Sequence, residues 1–253
     1  MRIANFRQFK PLDYAGTEAL NTICANLSFA GKNMKKIVMT SCNAGDGKSY
    51  LTLRIAQNLA SRGKNIVVVD ADLRRSRMIQ RHKVEVTGEI TGLAHYLAGY
   101  SNLEDVVYKT NMQGVYIIPI GQYVANPIPL FNSPDFSELL DMLAQSFDMV
   151  LVDAPPIGLV IDAAEIAQCC DGCVLVLEYE KSRRHEAMMA KHQLEQTGVQ
   201  ILGCILNKVS FDTISSQKYY NQSYYSHYDS LESGSSENEK GKGKRKKRGD
   251  VAG

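Results

Sequence analysis

Ser41-Cys42-Asn43-Ala44-Gly45-Asp46-Gly47-Lys48-Ser49 sits between two segments of opposite periodicity. Before it, Lys35-Lys36-Ile37-Val38-Met39-Thr40-Ser41 is a short, mostly apolar run bounded by a turn signal, which predicts a buried strand. After it, Leu51, Ile55 and Leu59 recur on one stripe over residues 48–61, which predicts a helix. A glycine-rich turn between a strand and a helix is the setting in which a Walker A loop is credible. Gly45 and Gly47 let backbone amides approach an anion without a Cβ in the way. The helix N-terminus adds unpaired N–H groups and a positive dipole end. Lys48 is placed to reach β- and γ-phosphates, and Ser49 to offer its hydroxyl to Mg²⁺. One position departs from the usual pattern: Cys42 stands where the first glycine is expected.

Outward from the loop the same alternation continues. Gly63 closes the helix, and Asn65-Ile66-Val67-Val68-Val69 is apolar enough for a strand covered on both faces. Further strands are predicted at Val115 to Ile118, Met149 to Val152, Cys173 to Leu177 and Ile201 to Ile205, with helices over 134–146, 162–169 and 182–197 between them. A helix over 13–30 precedes the first strand, with Leu20, Ile23 and Leu27 on one face. Alternating strands and helices imply an α/β fold of the P-loop NTPase type: a doubly wound, mostly parallel sheet with helices on both faces.

In such a sheet, ligands lie beyond the carboxyl ends of the strands. Three acids fall there. Asp70 and Asp72 follow Val67-Val68-Val69, and Asp153 ends Met149-Val150-Leu151-Val152 ahead of Ala154-Pro155-Pro156, as a Walker B acid would. Mg²⁺ keeps several waters and takes few carboxylates, so this number suits it. One of the acids could instead cap a helix. An ammonium, a hydroxyl, three carboxylates and a bed of amides suit phosphoryl transfer, which needs positioning and charge stabilisation more than covalent help.

Composition bounds the rest. At 253 residues and 44% hydrophobic content the chain can bury one sizeable core. The net charge is +2, which gives no field that points to nucleic acid. Seven Lys/Arg and five Asp/Glu lie from Asp229 onward, so the preceding body is neutral overall. No apolar stretch is long enough to span a bilayer and residues 1–30 do not read as a secretory signal, so a cytoplasmic protein is expected. Cys169, Cys170 and Cys173 cluster without a nearby histidine and read as buried thiols rather than a metal site. From Ser215 the composition turns polar and charged, which predicts a disordered tail. Yet Tyr219, Tyr220, Tyr224, Tyr225 and Tyr228 crowd into ten residues of it, and a polybasic run spans Lys240 to Arg248. The basic run could aid solubility or touch anionic lipid.

Four stretches together resemble the bacterial tyrosine kinases of capsule and exopolysaccharide synthesis, the CpsD- or CapB-like family. They are Ala44-Gly45-Asp46-Gly47-Lys48-Ser49, Asp70-Ala71-Asp72-Leu73-Arg74-Arg75, Phe147 to Gly158, and the tyrosine cluster. Asn126-Pro127 and Asp162-Ala163-Ala164 also fit. The resemblance implies an autokinase that passes the γ-phosphate of ATP, with Mg²⁺, to tail tyrosines, usually of a neighbouring subunit. By position it places Ala44 to Tyr50 on the nucleotide, Lys48 and Ser49 on phosphate and Mg²⁺, Asp70 and Asp153 in support of the metal, and Asp72 as the group that activates the tyrosine hydroxyl. Asn207 falls where the family places an adenine contact. A separate membrane activator similar to a chain-length determinant is implied, holding the protein at the inner face of the membrane. The domain division expected is a helical segment over 1–34, a kinase domain over 35–212 and a tail over 213–253.

Four positions depart from the family pattern. Ala44 replaces a common Pro and Tyr50 a common Thr. In the first helix Glu18 is followed by Asn21 and Cys24, where the family's oligomerisation motif has arginines. Two other readings therefore stand beside the kinase. A ParA- or MinD-like ATPase would carry a second signature lysine where this chain has Asn43. A non-catalytic nucleotide switch would use the tail only for docking.

Overall fold

The computed structural model describes residues 2–7, 10–31, 33–86 and 88–209. In chain order the elements are β1 (Arg2–Asn5), α1 (Tyr14–Phe29), β2 (Lys36–Ser41), α2 (Lys48–Ser61), β3 (Ile66–Asp70), α3 (Met78–Arg81), β4 (Glu85–Val86), α4 (Leu93–Leu97) and α5 (Leu103–Val106). There follow β5 (Tyr108–Thr110), β6 (Val115–Ile118), α6 (Ile128–Phe131), α7 (Pro134–Ser146), β7 (Met149–Asp153), α8 (Asp162–Gln168), β8 (Gly172–Glu178), α9 (Arg184–Gln196) and β9 (Gln200–Asn207).

Among the described residues the strands form one sheet in the order β4-β1-β5-β6-β3-β7-β2-β8-β9. The stretch from β6 to β9 is parallel throughout, and β5 pairs antiparallel with β6. Side chains alternate across the pleat, so each strand feeds two cores. Val67 and Val69 of β3, Val38 of β2 and Val150 and Val152 of β7 pack on one face with Phe136, Leu140, Ile166 and Leu194 from α7, α8 and α9. Ile66 and Val68, Ile37 and Met39, and Met149 and Leu151 pack on the other with Leu20, Cys24 and Leu27 of α1 and Leu53, Ile55 and Leu59 of α2. The doubly wound sheet with helices on both faces is thus the observed architecture. Burying a Val or Ile side chain to this extent contributes about 1.5–3 kcal/mol, so this alternation is a major source of the fold's stability.

One expectation needs correction. Residues 1–34 are not only helical: β1 joins the sheet, parallel to β5 and antiparallel to β4. The chain divides into one compact unit, Met1–Asn207, and a second, Lys208–Gly253, of which only Lys208 and Val209 are described. The tyrosine cluster, the polybasic run and the expected disorder of the tail all lie outside the described residues. α1 itself begins at the Asp13 cap, whose carboxylate accepts from Gly16 N at 2.7 Å. No helix among the described residues is long and apolar enough to cross a membrane.

Candidate active site

The loop between β2 and α2 is shaped by two glycines with left-handed backbones, Gly45 at φ 94° and Gly47 at φ 96°. It is laced from within. The Ser41 hydroxyl donates to Asn43 O at 2.8 Å, and Asn43 N donates to Asp46 Oδ2 at 2.9 Å. It is also held from β9, where Asn207 Nδ2 donates to Asp46 O at 2.8 Å. Cys42, at the position of the missing first glycine, is buried against the core. Burial, with Asp46 and Glu186 adding to it, pushes its thiol up to about 11. The same residue's carbonyl would lie 2.4 Å from a Cβ at position 158, which explains Gly158.

Gly47 admits no side chain. A Cβ there would lie 2.1 Å from Asn207 Nδ2, on top of the left-handed strain. Gly47→Ala is therefore expected to break the Asn207 tie and weaken nucleotide binding at least tenfold. At Gly63, with φ +85 and nothing within 4 Å of the new Cβ, the same change costs only backbone strain of about 1–2 kcal/mol and leaves affinity unchanged. Titration of both variants with ATP, alongside thermal melts, checks the contrast; equal affinities would remove the steric account of the loop.

Lys48 opens α2 and points into the sheet's carboxyl edge. Its Nζ lies 3.6 Å from Asp72 Oδ2 and 3.6 Å from Asp153 Oδ1. Burial works against its charge, but Asp153, Asp72 and Asp70 outweigh that and hold its pKa above the ordinary value. Asp70 and Asp153 are register partners at the ends of β3 and β7. Asp70 is fully buried and accepts from the Ser76 hydroxyl, while its Oδ1 has no hydrogen-bond partner. Burial, reinforced by Asp153, pushes the Asp70 carboxyl well above the usual carboxylate range. Asp153 is raised too, chiefly by burial, although Lys48 and the Ser49 hydroxyl pull it down.

Three carboxylates around one ammonium leave an excess of negative charge when ionised. That charge, with an orphaned buried oxygen on Asp70, fits a divalent cation beside Ser49, Asp70 and Asp153. A carboxyl raised by folding contributes its full stability below the ordinary aspartate value of 3.8, and loses it as pH rises through the raised value. Relative to Asp70→Asn, the unliganded chain is thus expected to lose stability as pH climbs above that point. Mg²⁺ with ATP should reduce the loss by stabilising the ionised form. Thermal unfolding of both proteins against pH tests this; identical slopes would contradict the assignment of Asp70.

In front of these groups opens a cavity of about 690 Å³ lined by Ala44, Gly45, Gly47, Lys48, Ser49 and Asp72, with the segment from Arg74 to Met78 and Arg81 on its other side. Asp72 also accepts from Arg75 N at 3.1 Å, so it shapes the turn as well as facing the cavity. Not every residue expected at the nucleotide is on this wall. Asp70 and Asp153 are buried and do not line it. Asp46 and Asn207 brace the loop. The Tyr50 ring stacks on His82 at 6.3 Å and meets the Arg54 guanidinium at 5.2 Å, in the packing of α2.

Several further residues support the site through pairings that only the fold creates. Arg74 grips Asp162 through Nε at 2.6 Å and a terminal nitrogen at 3.0 Å, and donates to Ala125 O at 2.7 Å. Buried Thr40 donates to Pro155 O at 2.7 Å and accepts from Ile157 N at 3.2 Å, which fixes the exit of β7. Asn43 donates to Glu186 Oε2 at 3.1 Å.

A phosphate-binding loop on a parallel sheet, with acids at the neighbouring strand ends, defines a P-loop nucleotide-binding protein. Residues 34–200 match the family described as an AAA domain. Over 193 residues the chain is 40% identical to the tyrosine-protein kinase CpsD of Streptococcus agalactiae serotype Ia, covering 76% of this chain and 82% of that one. The kinase domain of the Escherichia coli tyrosine kinase Etk superposes with a TM-score of 0.73 at 30% identity, over 78% of this chain and 76% of that one. The septum site-determining protein MinD of Pyrococcus horikoshii, solved with Mg-ADP, is less similar: TM-score 0.56, 27% identity, 67% of this chain and 68% of that one. The chain belongs to the bacterial tyrosine-protein kinase family of CpsD and CapB.

Proposed function

We propose that the chain is an ATP-dependent protein-tyrosine autokinase. It transfers the γ-phosphoryl group to Tyr219, Tyr220, Tyr224, Tyr225 and Tyr228 of a neighbouring copy, and so regulates capsular or exopolysaccharide synthesis and export. The observation that carries this reading is Lys48, held between Asp72 and Asp153 at the floor of a cavity rimmed by the loop amides.

The chain's own groups divide the work. The loop amides and the N-terminus of α2 bind the triphosphate. Lys48 neutralises charge on the β- and γ-oxygens, and can leave its carboxylate contacts to do so. Asp72 takes the phenolic proton as the tyrosine oxygen bonds to the γ-phosphorus and the bridging P–O bond to ADP breaks. Ser49, Asp70 and Asp153 would hold Mg²⁺, which when bound neutralises the charge that develops on the phosphates. Arg74 fixes the loop that carries Asp72, and Thr40 the segment that follows Asp153.

The ATPase alternative loses support at Asn43, whose amide is bound to Glu186 where MinD-type proteins carry a lysine. Transfer between copies requires self-association, and α1 offers little charge for it. Asn21 Oδ1 accepts from Asn58 of α2 and from Arg62 just after it at 3.0 and 3.1 Å, and Cys24 is buried. A membrane activator resembling a chain-length determinant, which brings copies together at the inner face of the membrane, meets that need. Phosphopeptide mapping after incubation with ATP, Mg²⁺ and the membrane activator tests the reading: phosphotyrosine within 219–228 is expected, and steady ATP hydrolysis without it would select the ATPase.

A further inference from the structure

Three arginines at the cavity have no use in the chemistry above. Arg75, Arg77 and Arg81 are exposed, and all three line the same cavity as Lys48 and Asp72. None of them makes an ion pair among the described residues. Arg74, by contrast, is committed to Asp162.

The scaffold beneath the arginines is fixed. Tyr123 OH donates to Ser76 O at 2.8 Å, Val124 N to Leu73 O at 2.9 Å, and Arg74 to Ala125 O. A smaller cavity of about 220 Å³ opens between Arg74, Arg75, Arg77 and Tyr123. A rigid rim with uncompensated guanidinium groups suits a carboxylate or phosphate, which arginine holds through paired N–H donors.

The acceptor region carries a matching asymmetry. From Tyr219 to Tyr228 there is no acidic residue, but Asp229 and Glu232 follow directly. Building on the kinase reading, we propose that Arg75, Arg77 and Arg81 form a docking site for an anion on the C-terminal side of the acceptor tyrosine. This site makes phosphorylation of the cluster run from its C-terminal end towards its N-terminal end.

Tyr228 is the one acceptor with an acid as its next neighbour, so it is modified first. Its phosphate then adds nearly two negative charges. That gives Tyr224 and Tyr225 an anion at about the spacing that Glu232 has from Tyr228. Phosphate at Tyr224 or Tyr225 in turn serves Tyr219 and Tyr220.

The test is time-resolved phosphopeptide mapping of the full chain with ATP, Mg²⁺ and the membrane activator, in wild type, Arg75→Ala/Arg77→Ala and Asp229→Lys/Glu232→Lys. In wild type Tyr228 is expected to lead, then Tyr224 and Tyr225, then Tyr219 and Tyr220. Each double variant should slow the first event about five- to tenfold, the size expected for two partly exposed ion pairs, with ATP affinity unchanged. Combining the two should add little, since they remove one interaction. Simultaneous labelling of all five tyrosines, or an unchanged rate and order in the arginine variant, would overturn the docking site and leave the kinase reading intact. So would a loss of ATP affinity large enough to explain the rate, which would reassign the arginines to the nucleotide. Absence of phosphotyrosine in wild type would instead remove the kinase reading, and this inference with it.

Discussion

Lys48→Met is expected to lower phosphotyrosine formation at least about a hundredfold, the scale on which removing one preorganised charge from a transition state acts. The side chain is nearly buried, and two acids lie 3.6 Å from its Nζ. A methionine fills the same volume but leaves those acids unopposed. The effect therefore has two parts. Transfer fails because the γ-phosphoryl oxygens lose their counter-charge. Stability also falls, by up to about 3–5 kcal/mol if the acids stayed ionised. They need not, because Asp70 and Asp153 are already raised by burial and can take up protons. The destabilisation should thus be small at low pH and grow as pH rises. Thermal melts across pH read that part, and phosphotyrosine immunodetection reads the first. Persistent phosphotyrosine in this variant would show that another group holds the phosphates.

Asp72→Asn separates chemistry from binding. The amide keeps the shape of the carboxylate and can still accept from Arg75 N, so the turn that now has a 3.1 Å bond there should survive. What it loses is the ability to take a proton. General-base catalysis contributes about 10²–10⁴, so transfer should fall by that factor while ATP affinity changes by less than about threefold. Single-turnover transfer and nucleotide titration on one preparation measure both. If transfer falls only in proportion to affinity, Asp72 belongs to nucleotide binding and the base lies elsewhere.

The sequence was informative where the physics is local. Ile37 to Met39, Val67 to Val69 and Met149 to Val152 read as buried strands because each is a continuous apolar run, and each lies in the parallel core. Lys48, Asp70, Asp72 and Asp153 could be singled out because each sits at a strand or helix end, where a parallel sheet presents its ligands. β1, β4 and β5 could not be read: β4 and β5 have only two and three residues, too few to show a period, and β1 has only Ala4 buried. The pairings that support the site were equally hidden. Arg74 meets Asp162 across 88 positions, Thr40 meets Pro155 across 115, and Asn207 meets Asp46 across 161. Such pairs arise only when the sheet assembles. Asn207 shows the consequence: nothing local to it announces that its amide holds the loop ahead of Lys48.

The convergence of one ammonium and three acids on a metal–triphosphate is tested most directly by locating the metal. Crystals grown with Mn²⁺ and a non-hydrolysable ATP analogue should give an anomalous peak beside Ser49 Oγ, on the side of Asp70 and Asp153, with Lys48 Nζ moved onto the β- and γ-phosphate oxygens. A peak remote from Ser49, or a nucleotide bound with Lys48 still between Asp72 and Asp153, would contradict the account.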